Sequence, residues 1–174
     1  MKQVLKFGGS SVANADNIRK VIDIVNARLD RGQAIVVVSA LGGITDTLLR
    51  CGDQAATGSE SFRETLAIVE DRHMQAVKSL LPVSQQSGTL SLVKKHCNDL
   101  EDICNGVFLL GELSTRTRDR IVSYGELLSS RIIAAAFQAH GTSATWTDAR
   151  ELIRTNTDFG HATVQFETTN AQLS

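Results

Sequence analysis

An α/β domain built on a parallel strand pair is what this sequence predicts, from three consecutive features. Residues 3–7 read as a short buried strand that runs into the pair Gly8-Gly9. Residues 16–31 carry Ile18, Val21, Ile22, Val25 and Leu29 on one helical stripe. The β-branched run Ala34-Ile35-Val36-Val37-Val38 follows, the pattern of a strand buried on both faces. Strand, turn, helix, strand in that order implies a right-handed crossover between parallel neighbours.

The bulk numbers set the limits. The 174 residues suit one domain or one lobe of a larger one, and 42% apolar content supplies a packed core. Eighteen basic and 19 acidic residues are interspersed for a net charge of -1, so no electrostatic footprint for nucleic acid or an anionic membrane exists. No apolar stretch approaches the ~20 residues that span a bilayer. The opening Met1-Lys2-Gln3-Val4 enters a strand directly, without the pattern of a secretory signal, and a cytoplasmic location is expected.

Each element has its local reason. Gly32 sits where the first helix needs a left-handed cap. A second small-residue loop, Ser39 to Thr45, leads into a helix that Thr45 is placed to cap. The next helix opens with Ser61 and Glu64 at capping-box spacing, carries Phe62, Leu66, Val69, His73, Val77 and Leu80 inward, and ends at Pro82. Residues 89–109 carry Leu92, Val93, Cys97, Leu100, Cys104 and Val107 on a further stripe. A helix over about 115–139 turns Ile121, Val122, Leu128, Ile132, Ala135 and Phe137 inward and stops at Gly141. Ser143 to Thr147 and Ala162 to Thr168 read as two more strands, with Trp146 in the core. The stretch 45–140 is therefore expected to form a helical region beside the sheet. Cys51, Cys97 and Cys104 lack metal-ligand spacing and read as buried reduced thiols, with a site built on His96 and Cys97 as the lesser alternative; no metal ligand is assigned.

Three segments carry candidate chemistry. Lys6-Phe7-Gly8-Gly9-Ser10-Ser11 places a lysine at the end of a strand before a glycine turn. Backbone N–H groups in such a turn can converge on an anion, and the lysine adds a positive charge suited to a phosphoryl group. A tight turn with a solvated lysine is the plain alternative. The segment is neither a G-x-x-x-x-G-K-[ST] loop nor a G-x-G-x-x-G fingerprint. Ser39-Ala40-Leu41-Gly42-Gly43-Ile44-Thr45-Asp46 repeats the design after the second strand, where open α/β sheets bind ligands. Ser123-Tyr124-Gly125-Glu126 puts a glycine inside a helix at a cost of about 0.5–1 kcal/mol, which points to a close approach. Glu126 beside it is either a surface carboxylate or a partner for an ammonium group.

Taken together, Lys-Phe-Gly-Gly-Ser-Ser-Val at 6–12, Ser-Ala-Leu-Gly-Gly-Ile-Thr-Asp at 39–46, Tyr-Gly-Glu at 124–126 and Asp-Ala-Arg at 148–150 resemble the aspartokinases of the amino acid kinase family. The resemblance covers essentially the whole chain and implies an amino acid kinase-like fold, with a mainly parallel sheet flanked by helices. It implies transfer of the γ-phosphoryl of ATP, accompanied by Mg2+, to the side chain of L-aspartate, the first step toward lysine, threonine and methionine. By similarity Lys6 would stabilise the transferring phosphoryl, and Gly8, Gly9 and Ser10 would cradle the phosphates. Ser39, Ala40 and Thr45 would contact aspartate, and Glu126 would hold its ammonium group. The family's second glycine-rich lobe, with its Arg-Gly-Gly-Ser-Asp type segment, has no counterpart here. Residues 1–174 thus read as the aspartate-binding lobe of a longer, homo-oligomeric parent, with fusion to homoserine dehydrogenase left open and the fragment alone expected to be inactive. A non-catalytic amino-acid-binding module and a kinase for another amino acid stand as alternatives.

Overall fold

The computed structural model describes residues 2–173. Strands β1 (Lys2–Phe7) and β2 (Gln33–Val38) pair in parallel, in register from Lys2 opposite Gln33 to Phe7 opposite Val38. Helix α1 (Ala15–Leu29) is the crossover, as the order of segments requires. Its start is fixed by Asn14, whose side-chain oxygen accepts from Asn17 N at 3.0 Å. Ile18, Val21, Ile22 and Val25 form its buried stripe. Gly32, at φ 123°, makes the turn into β2 that only glycine adopts without strain.

The region after β2 is helical, as its periodicity predicts. Helices α2 (Ile44–Ala56), α3 (Phe62–Leu80), α4 (Val83–Leu110) and α5 (Thr115–Ala139) pack on one another, and α5, like α1, also rests on β2. Their shared core includes Leu48, Phe62, Leu100, Ile121, Leu128 and Ile132, each worth about 1.5–3 kcal/mol when taken from water. His73 is buried with them on α3. Its Nδ1 donates to the Val69 carbonyl at 2.6 Å, and its Nε2 has no partner among the described residues. Burial favours the neutral ring and lowers its pKa to about 4. The thiols of Cys51 and Cys104 touch at 3.6 Å inside the same core. That contact, reinforced by burial, pushes the Cys51 thiol up, and burial raises Cys97 to about 12, so these cysteines are reduced packing residues.

Several local expectations are corrected. The strand 34–38 is covered on one face only: Ala34, Val36 and Val38 turn inward, whereas Ile35 and Val37 remain 56% and 44% exposed beside Val4 at 68%. A β-branched run satisfies either environment, because period-two alternation is hidden when every residue is apolar. Thr45 does not cap α2; Gly43 holds the cap position at φ 78°, and Thr45 lies within the first turn. Ser61 precedes α3 without a side-chain cap, because its hydroxyl pairs with Ser59 Oγ at 2.7 Å. Pro82 ends α3 and at once starts α4, which begins six residues before the apolar stripe at 89.

The two C-terminal strands do not form. Residues 143–147 alternate in exposure as a strand would, but no described segment pairs with them. Residues 162–168 supply one antiparallel bridge, Thr155 opposite Val164, before helix α7 (Phe166–Leu173) begins. A strand needs a partner for its N–H and C=O groups, and side-chain pattern alone does not supply one. Between them lies the single turn α6 (Ala149–Leu152), capped by Asp148. Trp146 is half-buried rather than core, with the Arg131 guanidinium 3.3 Å from its ring centre and its Nε1 donating to Ser130 Oγ at 3.0 Å.

Candidate functional site

The parallel pair delivers two glycine loops side by side. Ser39 N donates to Phe7 O at 3.1 Å, extending the ladder one residue past the strands and setting the loops in contact. The first loop folds tightly on itself, since Ser11 N and Val12 N both donate to Gly8 O, at 2.9 and 3.2 Å. A Cβ on Gly9 would lie 3.6 Å from the Ala40 carbonyl and 3.9 Å from Ser39 Oγ. A Cβ on Gly42 would stand only 2.9 Å from that of Ala13. The absence of a side chain at Gly42 is what lets the loops close on each other, whereas a Cβ at Gly9 would make only ordinary contact.

Helix α5 then clamps the second loop. Its Gly125 would, with a Cβ, meet the Ala40 methyl at 2.9 Å, Leu48 Cδ1 at 3.3 Å and Ile44 Cγ2 at 3.5 Å. The glycine therefore exists for close approach, the reason its helical position suggests. One turn along, the fully buried Ser129 donates from Oγ to Ser39 O at 2.7 Å. Glu126, between them and exposed, accepts from Ala40 N at a long 3.4 Å through Oε1. One turn of α5 thus holds the backbone of Ser39-Ala40 and presents a carboxylate beside it.

Of the residues singled out from sequence, Gly9, Ser39, Ala40 and Glu126 are linked by these contacts, and Gly8 closes the first loop through its carbonyl. Ser10 lies in the same first loop, its carbonyl accepting from Asn17 Nδ2 at 2.8 Å. Lys6 is exposed near the end of β1, opposite Val37, and forms no ion pair among the described residues. Thr45 is half-buried in the first turn of α2 and makes no side-chain bond to the others. Two residues escaped the sequence reading. Ser129 had a signal, being four positions from Gly125 on the same helix face. Arg72 had none: from α3 its Nη2 donates to Ala13 O at 3.3 Å and Gly42 O at 3.2 Å, one carbonyl from each loop.

The sequence pattern of the amino acid kinase family matches residues 1–173. The chain belongs to this family. Aspartokinase 1 (chloroplastic) of Arabidopsis thaliana is 35% identical over 158 residues, covering 89% of this chain and 26% of the relative. The chloroplastic bifunctional aspartokinase/homoserine dehydrogenase 1 of Zea mays is 31% identical over 156 residues, 90% of this chain and 17% of its own length. The crystal structure of E. coli aspartokinase III in complex with aspartate and ADP superposes with a TM-score of 0.87 at 26% identity, over 99% of this chain and 36% of that one. The chain thus spans about a quarter of the length of the aspartokinase it matches in Arabidopsis.

In this member of the family the Asp148-Ala149-Arg150 stretch is a compact ion pair. Arg150 Nη2 and Asp148 Oδ2 are 2.6 Å apart, and this contact holds the Asp148 carboxyl below its usual range. Among the described residues, no three His, Cys, Asp or Glu side chains gather as a metal-ligand set. No helix among the described residues is long and apolar enough to cross a membrane.

Proposed function

We propose that this chain is the acceptor lobe of an aspartate kinase, binding L-aspartate between the loop 39–45 and Glu126 and the phosphates of ATP on the turn 8–10. The observation that carries the reading is the α5 clamp, in which Gly125 and Ser129 press Glu126 against Ala40 N, next to the Gly8-Gly9 turn. A carboxylate and a set of small-residue amides side by side suit a substrate that carries both an ammonium and an anionic group. The E. coli aspartokinase III structure, with aspartate and ADP bound, supports the same choice of ligands.

In this reading Glu126 takes the substrate ammonium, and Ser39, Ala40 and Thr45 orient the side-chain carboxylate. That carboxylate is already ionised at pH 7, so no general base is needed. One of its oxygens forms the bond to the γ-phosphorus as the bond to the bridging oxygen of ADP breaks. Lys6 and the amides of Gly8, Gly9 and Ser10 offset the charge that develops on the transferring group. Catalysis is then positioning plus electrostatics. The base and ribose of the nucleotide are assigned to the remaining length of such a kinase, in line with this chain's 36% coverage of the E. coli enzyme.

The test is a coupled assay with ATP, Mg2+ and a panel of L-aspartate, L-glutamate and N-acetyl-L-glutamate, on the full-length gene product that contains these residues. Turnover with aspartate alone is expected; a preference for either of the others overturns the assignment. Glu126→Gln is expected to raise the KM for aspartate at least about tenfold, with a smaller loss in kcat, as the charge-assisted hydrogen bond to the ammonium goes.

A further inference from the structure

We infer that Arg72 is a positioning residue that fixes the spacing between the two glycine loops, and with it the gap between phosphoryl donor and acceptor. This rests on the reading just given, in which the first loop holds the phosphates and the second holds the carboxylate that attacks. Arg72 lies on the exposed side of α3, 59 positions from Ala13 and 30 from Gly42. A single nitrogen, Nη2, donates to both carbonyls, at 3.3 and 3.2 Å. An arginine Nη carries two hydrogens, so one atom satisfies both acceptors without competition, and the positive charge strengthens each bond.

The seam it spans has no slack. A Cβ on Gly42 would stand 2.9 Å from Ala13 Cβ and 3.6 Å from the Gly9 carbonyl, so the two loop backbones already touch where the guanidinium bridges them. The second loop has another, independent support, the α5 clamp through Gly125 and Ser129. Removing Arg72 therefore leaves Ser39-Ala40 attached to Glu126 and loosens only the register of one loop against the other. In-line transfer is sensitive to that register, a misplacement of about 1 Å costing on the order of 10²-fold in rate. Binding of aspartate, which uses the second loop and α5, is not. Because the side chain is exposed, truncating it costs little stability.

The experiment uses the full-length gene product with Arg72→Ala and Arg72→Lys, and with Arg19→Ala as a control on a neighbouring arginine that ties to Asp16 and the Ser79 carbonyl. For Arg72→Ala the expected result is a kcat lower by about 10- to 100-fold, a KM for aspartate within about threefold of wild type, and an unchanged melting temperature. Guanidinium at low millimolar concentration is expected to restore part of that kcat and to leave wild type and Arg19→Ala unaffected. Arg72→Lys should fall between, since its ammonium donates but is a compact point rather than a fork. An Arg72→Ala enzyme with wild-type kcat, or one whose KM rises in step with the fall in kcat, overturns the positioning role while the kinase reading stands. A wild-type protein without aspartate kinase activity overturns both. If Arg72→Ala does not fold, Arg72→Gln takes its place under the same criteria.

Discussion

Replacing Gly125 with alanine sets two known magnitudes against each other. In a helix the change is ordinarily favourable by about 0.5–1 kcal/mol, because glycine forfeits backbone entropy. Here the new methyl would sit 2.9 Å from the Ala40 methyl, with Leu48 Cδ1 at 3.3 Å and Ile44 Cγ2 at 3.5 Å. Carbon atoms rest at about 3.5–4.0 Å, so the nearest contact is short by at least about 0.6 Å. Leu48 can turn away, but the Ala40 methyl has no rotamer and is fixed to the loop. Helix α5 must back off, and overpacking of this kind costs about 1–3 kcal/mol. The net expectation is a loss of about 1 kcal/mol, or about 2–4 °C in Tm for a chain of this size. Retreat also carries Glu126 Oε1 beyond its 3.4 Å from Ala40 N, out of hydrogen-bond range. Equilibrium unfolding in urea measures the first effect, with Gly106→Ala as the control. Gly106 lies in α4, and a Cβ there meets nothing within 4 Å, so that substitution should stabilise the chain by about 0.5–1 kcal/mol. Opposite signs for the two alanines are expected; a Gly125→Ala protein as stabilised as the Gly106→Ala protein would refute the close-approach argument.

Other outcomes follow from particular residues. His73 titrates near 6.5 when unfolded but at about 4 in the fold, so the unfolded chain binds the proton first as pH falls. Its contribution is intact above pH 6.5 and is lost toward pH 4, by up to about 1.4 kcal/mol per unit and about 3 kcal/mol in all. The urea midpoint of wild type should therefore fall relative to that of His73→Leu from pH 7.5 to 6 to 5, and parallel curves would exclude the imidazole as the cause. Lys6→Ala in the full-length protein should lower kcat by roughly 10²–10³ with little change in aspartate KM, as for the loss of one transition-state charge partner; near wild-type turnover in steady-state assays would remove Lys6 from the reaction. If base and ribose are held outside these residues, as proposed, the 174 residues alone should yield no 4-phosphoaspartate from ATP, Mg2+ and aspartate, since one unheld reactant forfeits an effective molarity near 10⁵ M or more. Product detected from the purified chain would move the nucleotide site into these residues.

What the sequence determined by itself is what neighbouring residues settle among themselves. The helices α1 to α5 were legible because a helix closes its own backbone hydrogen bonds, so an apolar stripe at 3.6-residue spacing suffices to indicate one. The order of strand, glycine turn, helix and strand implied a parallel pair with its loops at one end, and the glycines at 9, 42 and 125 lie where the two loops and α5 meet. Only the tertiary structure decided which strand-like segments became strands. Residues 143–147 alternate like a strand and remain unpaired among the described residues, because a strand's donors and acceptors are satisfied by another segment. It alone decided that Ile35 and Val37 face outward, since a run of β-branched residues carries no mark of which face is covered. It also decided that Arg72 bridges the two loops and that Ser129 seats α5 on Ser39. Those bonds join residues 30 to 90 positions apart, and their partners are backbone carbonyls, which every residue carries and no sequence pattern can distinguish.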